Sequence, residues 1–139
     1  MSYRFLEHMT DAYIEVQGDT LEEAFELAAK ALVDTMVNVN TVAPANEEQI
    51  RVEGHDLESL LYDWLEAVML KLIVDKKALS VFKVFISKHA DKYQLKATVR
   101  GEQFDVEKHQ YKVEIKGVTY HMMKIEQNKT VRMRFLLDL

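Results

Sequence analysis

The chain contains no cysteine. That excludes disulfides, thiol nucleophiles and cysteine-based zinc or iron–sulfur sites, and it suits a reducing compartment. There is one proline, Pro44, which marks a loop and leaves every other segment open to helix or strand. No apolar run is long enough to span a bilayer, because the most apolar segment, Leu60 to Val74, is interrupted by Asp63, Glu66 and Lys71. The opening residues Met1-Ser2-Tyr3-Arg4-Phe5 lack the basic and apolar blocks of a signal peptide, so a cytoplasmic protein with no membrane association is expected. A basic excess is missing too. The net charge is −5, opposite to that of an autonomous nucleic-acid binder and better suited to binding cations or a basic protein. Small basic patches at Lys76-Lys77 or at Arg132 and Arg134 remain open. Repeats, low-complexity tracts, a P-loop, a nucleophile elbow, a Gly-rich dinucleotide loop and an H-x-x-x-H pair are all absent.

What is present reads as an α+β fold, two amphipathic helices packed on a mostly antiparallel sheet, in a single domain over residues 1–139. Thr20 with Glu23 forms a capping-box pattern, and Leu21, Ala24, Phe25, Ala28, Ala31, Leu32, Met36 and Val39 recur at helical spacing, predicting a helix of about five turns. Asp56 is the candidate N-cap of a second, more buried helix carrying Leu57, Leu60, Leu61, Trp64, Leu65, Val68, Met69, Leu72 and Ile73, closed by Asp75-Lys76-Lys77. Strands are expected over residues 3–7, 12–16, 48–53, 80–88, 93–100 and 131–137. Tyr111, Val113 and Ile115 alternate into Lys116 as another strand, and Val118, Tyr120 and Met122 continue beyond Gly117 until the phase slips at Met122-Met123, which predicts a bulge.

Three polar points stand out from this framework. Asp11 lies in a polar break between two strand segments, Asp138 follows the last strand next to Leu139, and Lys116 ends an alternating run just before a glycine. Carboxylates of Asp11 and Asp138 with an α-carboxylate at Leu139 would repel unless a cation lay among them, and an all-oxygen donor set favours calcium or magnesium over zinc. The ordinary reading is a turn cap at Asp11, a terminal residue at Asp138 and a solvated strand lysine at Lys116. Thr119 and His121 are two apart and are expected on one sheet face; His121 suits an acid/base or ligand role, or a hydrogen-bonded place at a sheet rim, and His8 has the same ambiguity.

Taken together, five blocks resemble the archease family. His8-Met9-Thr10-Asp11 is similar to its His-Thr-Ala-Asp signature, Gly18 to Glu26 to its first-helix entry, and Leu60 to Leu65 to its second helix. Lys116-Gly117-Val118-Thr119-Tyr120-His121 is similar to Lys-Ala-Val-Thr-Tyr-His, and Asp138-Leu139 to a terminal Asp followed by an aliphatic residue. Met9, Thr10 and Gly117 depart from the pattern. The resemblance implies a protein cofactor, not an enzyme, that activates the RtcB-type tRNA-splicing RNA ligase by promoting its guanylylation by GTP and its multiple turnover, meeting RNA and GTP through the ligase. It implies a metal site, usually described as calcium, with magnesium or manganese as other occupants, at Asp11, Asp138 and Leu139, the last through backbone or carboxylate oxygen, with Lys116 nearby. Two other readings of the residues stay open: a metal-dependent enzyme on phosphate esters or nucleotides with His121 as acid/base, and a chaperone-like binding module.

Overall fold

A computed structural model of the chain describes residues 2–6 and 11–139. The elements run β1 (Ser2–Leu6), β2 (Asp11–Gly18), α1 (Leu21–Met36), a 3-10 turn (Val39–Thr41), β3 (Asn46–Gly54), α2 (Leu57–Ile73), β4 (Lys77–His89), β5 (Lys92–Gln103), β6 (Gly117–Gln127) and β7 (Val131–Asp138). The expected class holds: two helices with antiparallel strands, α+β. The strands divide into two sheets, however, a four-stranded one in the order β1-β2-β7-β6 and a three-stranded one in the order β3-β5-β4. Both helices touch both sheets, α1 against β2 and β4, α2 against β3 and β6. Each sheet therefore buries one face against the helices and exposes the other.

This sandwiching explains the helix sequences. Fully exposed positions are absent from α1, and Ala24, Ala28, Ala29 and Ala31 are small enough to let strands approach on more than one side. Its N-terminus is capped by Thr20 Oγ1, which accepts from the Glu23 N–H at 3.1 Å. The Glu23 carboxylate reaches back one residue further than a capping box requires and accepts from the Asp19 N–H at 2.8 Å. Helix α1 stops at Met36, short of the expected fifth turn, because Asp34 Oδ1 takes the Val39 N–H at 3.1 Å and Asn38 caps the 3-10 turn. In α2 the expected Asp56 cap is present and forms a full box with Ser59. Lys77, expected to close this helix, begins β4 instead.

The core is one cluster drawn from every strand layer and both helices. At its centre Trp64 is fully buried, packs edge-on against Phe82 with ring centroids 6.2 Å apart, and donates its indole N–H to the Phe25 carbonyl at 2.9 Å. That bond links the two helices, which also pack through the shared core. Glu26 of α1 accepts from the Val84 N–H at 2.8 Å, occupying a donor on the edge strand β4.

Residues 111–116 are not a strand, contrary to the alternation of Tyr111, Val113 and Ile115. Their backbone groups are used elsewhere: the Lys112 N–H bonds Met36 O and the Lys116 N–H bonds Asp138 O, each at 2.7 Å. The alternation records burial of Ile115, not strand pairing. Ahead of it, residues 104–110 are folded around buried His109, whose Nδ1 accepts from the Asp105 N–H at 3.0 Å while Nε2 faces Glu102 Oε2 at 2.8 Å. Among the described residues no helix is long and apolar enough to cross a membrane.

Candidate functional site

The β2–β7 ladder aligns Asp11 directly with Asp138, and the β6–β7 ladder aligns Gly117 with the same Asp138. Residues directly opposite in an antiparallel pair share a face, with Cβ atoms about 5 Å apart. Burial gives that face: Ala12, Ile14, Val16, Met133, Phe135 and Leu137 are all buried, so Asp11, Asp138 and Gly117 belong to the outward set. The Lys116 N–H to Asp138 O bond then fixes the backbone of Lys116 beside the last residue of β7. Four of the positions singled out in the sequence, Asp11, Asp138, Leu139 and Lys116, thus meet at one end of the four-stranded sheet although they are spread over the chain.

Asp138 and Lys116 are exposed, and Asp11 and Leu139 are half-buried, Leu139 packing its side chain against the core. A Cβ built on Gly117 would meet nothing within 4 Å, so the ground next to Asp138 is open. Two like charges placed directly opposite each other on a sheet disfavour the pairing. Here that arrangement is imposed by the ladder itself. An oxygen donor set of two carboxylates and strand-end carbonyls is the chemistry that suits a hard cation. Among the described residues no group of three or more His, Cys, Asp or Glu is gathered to hold a metal, so a bound ion would draw further donors from backbone oxygen or water. His8, with Met9 and Thr10 of the same block, lies outside the described residues.

The pairing of β6 with β7 is interrupted just beyond Thr119, so His121 lies in an irregular stretch and not in the regular ladder that period two presumes. Thr119 pairs with Leu136 and the next pair is Lys124 with Arg134, so β6 carries three extra residues against β7. The bulge begins earlier than the expected slip at Met122-Met123 and includes Met122 in a left-handed conformation, φ 60. Within it the His121 N–H donates to Thr119 Oγ1 at 3.1 Å, and the exposed imidazole has no hydrogen-bond or ion-pair partner among the described residues. The bulge also carries Tyr120 onto Tyr62 of α2, rings stacked 4.5 Å apart at 12°. Burial, and after it the carboxylates Asp63 and Asp56, push the Tyr120 hydroxyl above its ordinary range.

One feature of this face was not singled out from the sequence. Glu15 accepts from Arg4 at 2.6 Å on one side and from Arg134 at 2.9–3.0 Å on the other. The hydrogen bond from Arg4, more than any other contact, holds its carboxyl below the usual range. Alternation alone places Glu15 and Arg134 on outward positions; their meeting needs the register. One cation of each suspected basic patch is paired: Lys77 with Glu48, and Arg134 with Glu15.

A two-sheet α+β protein whose outward acidic end is built by strand register defines a class of small α+β domains rather than any one activity. Comparison with known proteins agrees on which. The model of the archease protein family (MTH1598/TM1083) matches residues 3–139. Protein archease of Pyrococcus furiosus is 48% identical over 121 residues, 87% of this chain and 85% of that protein. Protein archease of Sulfolobus acidocaldarius is 37% identical over 138 residues, 99% and 98% of the two chains. The solution structure of Methanobacterium thermoautotrophicum protein 1598 superposes with a TM-score of 0.83 at 35% identity, covering 99% of each chain. The chain belongs to the archease family.

Proposed function

We propose that this protein is an activator of an RtcB-type tRNA-splicing RNA ligase, promoting ligase guanylylation by GTP and multiple turnover in RNA end joining, and that the chain itself catalyses no step. The observation that carries this reading is the alignment of Asp11, Asp138 and Gly117 across three strands. Activation of another protein's chemistry calls for a rigid, charged projection, because a group held in place acts at lower entropic cost than one that must be ordered. Strand pairing supplies that rigidity, and the open ground at Gly117 lets a partner's surface approach.

In this reading Asp11 and Asp138 hold a calcium ion through carboxylate oxygen, with magnesium or manganese as substitutes and Leu139 contributing backbone or carboxylate oxygen. When bound, the ion supplies positive charge for a triphosphate at the ligase's nucleotide pocket. Lys116, fixed at its backbone and exposed at its side chain, adds a second positive group for the same phosphates. The test is ligase guanylylation with GTP at substrate excess, with and without this protein. Asp11→Asn and Asp138→Asn are expected to lower the stimulation at least about tenfold, the scale on which disturbing a metal site costs affinity. Stimulation at the wild-type rate by both variants would remove the acidic end from the mechanism. Turnover of a nucleotide or phosphate ester by the isolated protein with calcium, magnesium or manganese would overturn the non-enzymatic reading.

A further inference from the structure

The outward face of the three-stranded sheet is as distinctive as the acidic end and lies on the other sheet. Its cross-strand rows are fixed by register. Val81, Arg100 and Glu47 form one; Lys83, Thr98 and Gln49 the next; then Phe85, Lys96 and Arg51; then Ser87, Gln94 and Glu53. His89 and Lys92 close the end. The face thus carries Arg51, Lys83, Lys92, Lys96 and Arg100 against Glu47 and Glu53, a positive surface on a chain whose net charge is −5. The two carboxylates are engaged, Glu47 by Arg100 at 2.9 Å and Glu53 by Gln94 at 3.3 Å.

The row Phe85–Lys96–Arg51 is the unusual one. Arg51 and Lys96 are directly opposite, a like-charge pairing that disfavours the sheet, and neither they nor Lys83 form an ion pair among the described residues. Beside them Phe85 is 62% exposed, a large aromatic ring turned to solvent in the middle of a strand. A depression of about 570 Å³ runs along this row, lined by Arg51, Glu53, Phe85, Ser87, Gln94 and Lys96. Along β5, Lys92, Lys96 and Arg100 recur every four residues, about 13 Å apart. A cationic sheet face with an aromatic platform provides the two contacts that an unpaired nucleic-acid strand uses: cations for phosphates and a ring on which a base stacks.

We propose that this face binds single-stranded RNA, Phe85 stacking on a base while Arg51, Lys96 and Lys83 contact phosphates. The choice of RNA rests on the ligase reading above; the binding chemistry rests on the face alone. The test uses the isolated protein with no ligase and a fluorescent 15-nucleotide oligo(U), titrated by anisotropy across a series of salt concentrations. About three phosphate contacts give a slope of log affinity on log salt near −2. Lys96→Ser is expected to flatten that slope by about 0.7. Phe85→Ala is expected to weaken binding about 5- to 150-fold while leaving the slope unchanged, because stacking releases no counterions. Arg132→Ser, on the other sheet, is expected to alter neither, and the melting temperature of each variant checks its fold.

No salt-dependent binding, or binding indifferent to Phe85→Ala and Lys96→Ser, overturns the proposal. So does equal binding of heparin with no effect of Phe85→Ala, which marks a bare anion patch, and so does tighter binding of oligo(dT) than oligo(U). Variants that keep RNA binding but lose association with the ligase mark the face as a protein dock and overturn it as well. If oligo(U) binds as expected while the ligase is not stimulated, this face stands and the ligase reading falls; if the ligase is stimulated without RNA binding, the reverse holds.

Discussion

Gly101 and Gly117 both sit in strands, and the structure predicts opposite outcomes for the same substitution at each. Gly101 lies on β5 where β4 shifts register between Leu79 and Val81. A Cβ there would stand 1.8 Å from the Ala78 carbonyl oxygen and 2.8 Å from Leu79 Cα. Both are backbone atoms of a paired strand, so no side-chain rotation relieves the clash. The carbonyl must retreat by more than about 1 Å, which separates β4 from β5 at the bulge. Overpacking costs about 1–3 kcal/mol where side chains give way, and a backbone obstacle puts Gly101→Ala at about 3 kcal/mol or more. With an unfolding entropy of about 2.1 cal/mol/K per residue, that loss lowers the melting temperature by about 10 °C.

Gly117→Ala meets nothing within 4 Å and needs no left-handed backbone. It restrains the unfolded chain at no steric cost, a gain of about 0.4–1 kcal/mol, or about 1–3 °C. Thermal unfolding followed by circular dichroism in one buffer measures both. Melting of Gly101→Ala within about 2 °C of wild type would refute the clash argument, and a marked loss for Gly117→Ala would refute the claim that the ground beside Asp138 is open.

Two further outcomes follow from the loops and caps. Glu102 accepts from the Ala43 N–H at 2.9 Å and also from His109 and Lys108, and these bonds, that from Ala43 first, pull its carboxyl from the ordinary 4.5 to about 2. A depressed folded-state pKa gives stability that is fully present above about pH 4.5 and is lost as pH falls toward about 2. The urea midpoint of Glu102→Gln is therefore expected to lie below wild type at neutral pH and to converge with it by about pH 2; parallel curves from pH 5 to 2 would contradict the assignment. Asp56→Ala removes the half of the α2 capping box in which the Asp56 carboxylate accepts from the Ser59 N–H, leaves the Asp56 N–H on Ser59 Oγ, and is expected to cost about 0.5–2 kcal/mol, with Asp56→Ser restoring most of it, read from chemical denaturation.

The helices were legible because their signals are local. Thr20 and Asp56 cap through residues three positions away, and the apolar spacing of Leu57 to Ile73 needs no tertiary information. Strand existence was nearly as accessible, since alternation in Tyr93 to Arg100 follows directly from one buried face. Pairing was not. Nothing in the alternation of β2 or β7 states that Asp11 faces Asp138, or that the strands divide into two sheets around the helices. The segment Tyr111 to Lys116 shows the limit clearly: alternation reports which side is buried, and a chain can satisfy it while spending its N–H groups on a helix end and on β7.

The acidic end is for this reason a property of the core as much as of its own residues. Ile14 pairs with Phe135 and Val16 with Met133, and all four are buried. A one-residue slip of β2 against β7 would turn those apolar side chains to water and send Asp11 inward, so the register is pinned by several buried contacts at once. Asp11 and Asp138 are carried into opposition by that pinning even though like charges disfavour it locally. The same logic holds on the other sheet, where Ile50, Ala97 and Val84 form a buried row and the neighbouring outward row is Arg51, Lys96 and Phe85. In both sheets the inward residues choose the register, and the outward residues are left in like-charge arrangements: Asp11 opposite Asp138 at one, Arg51 opposite Lys96 at the other.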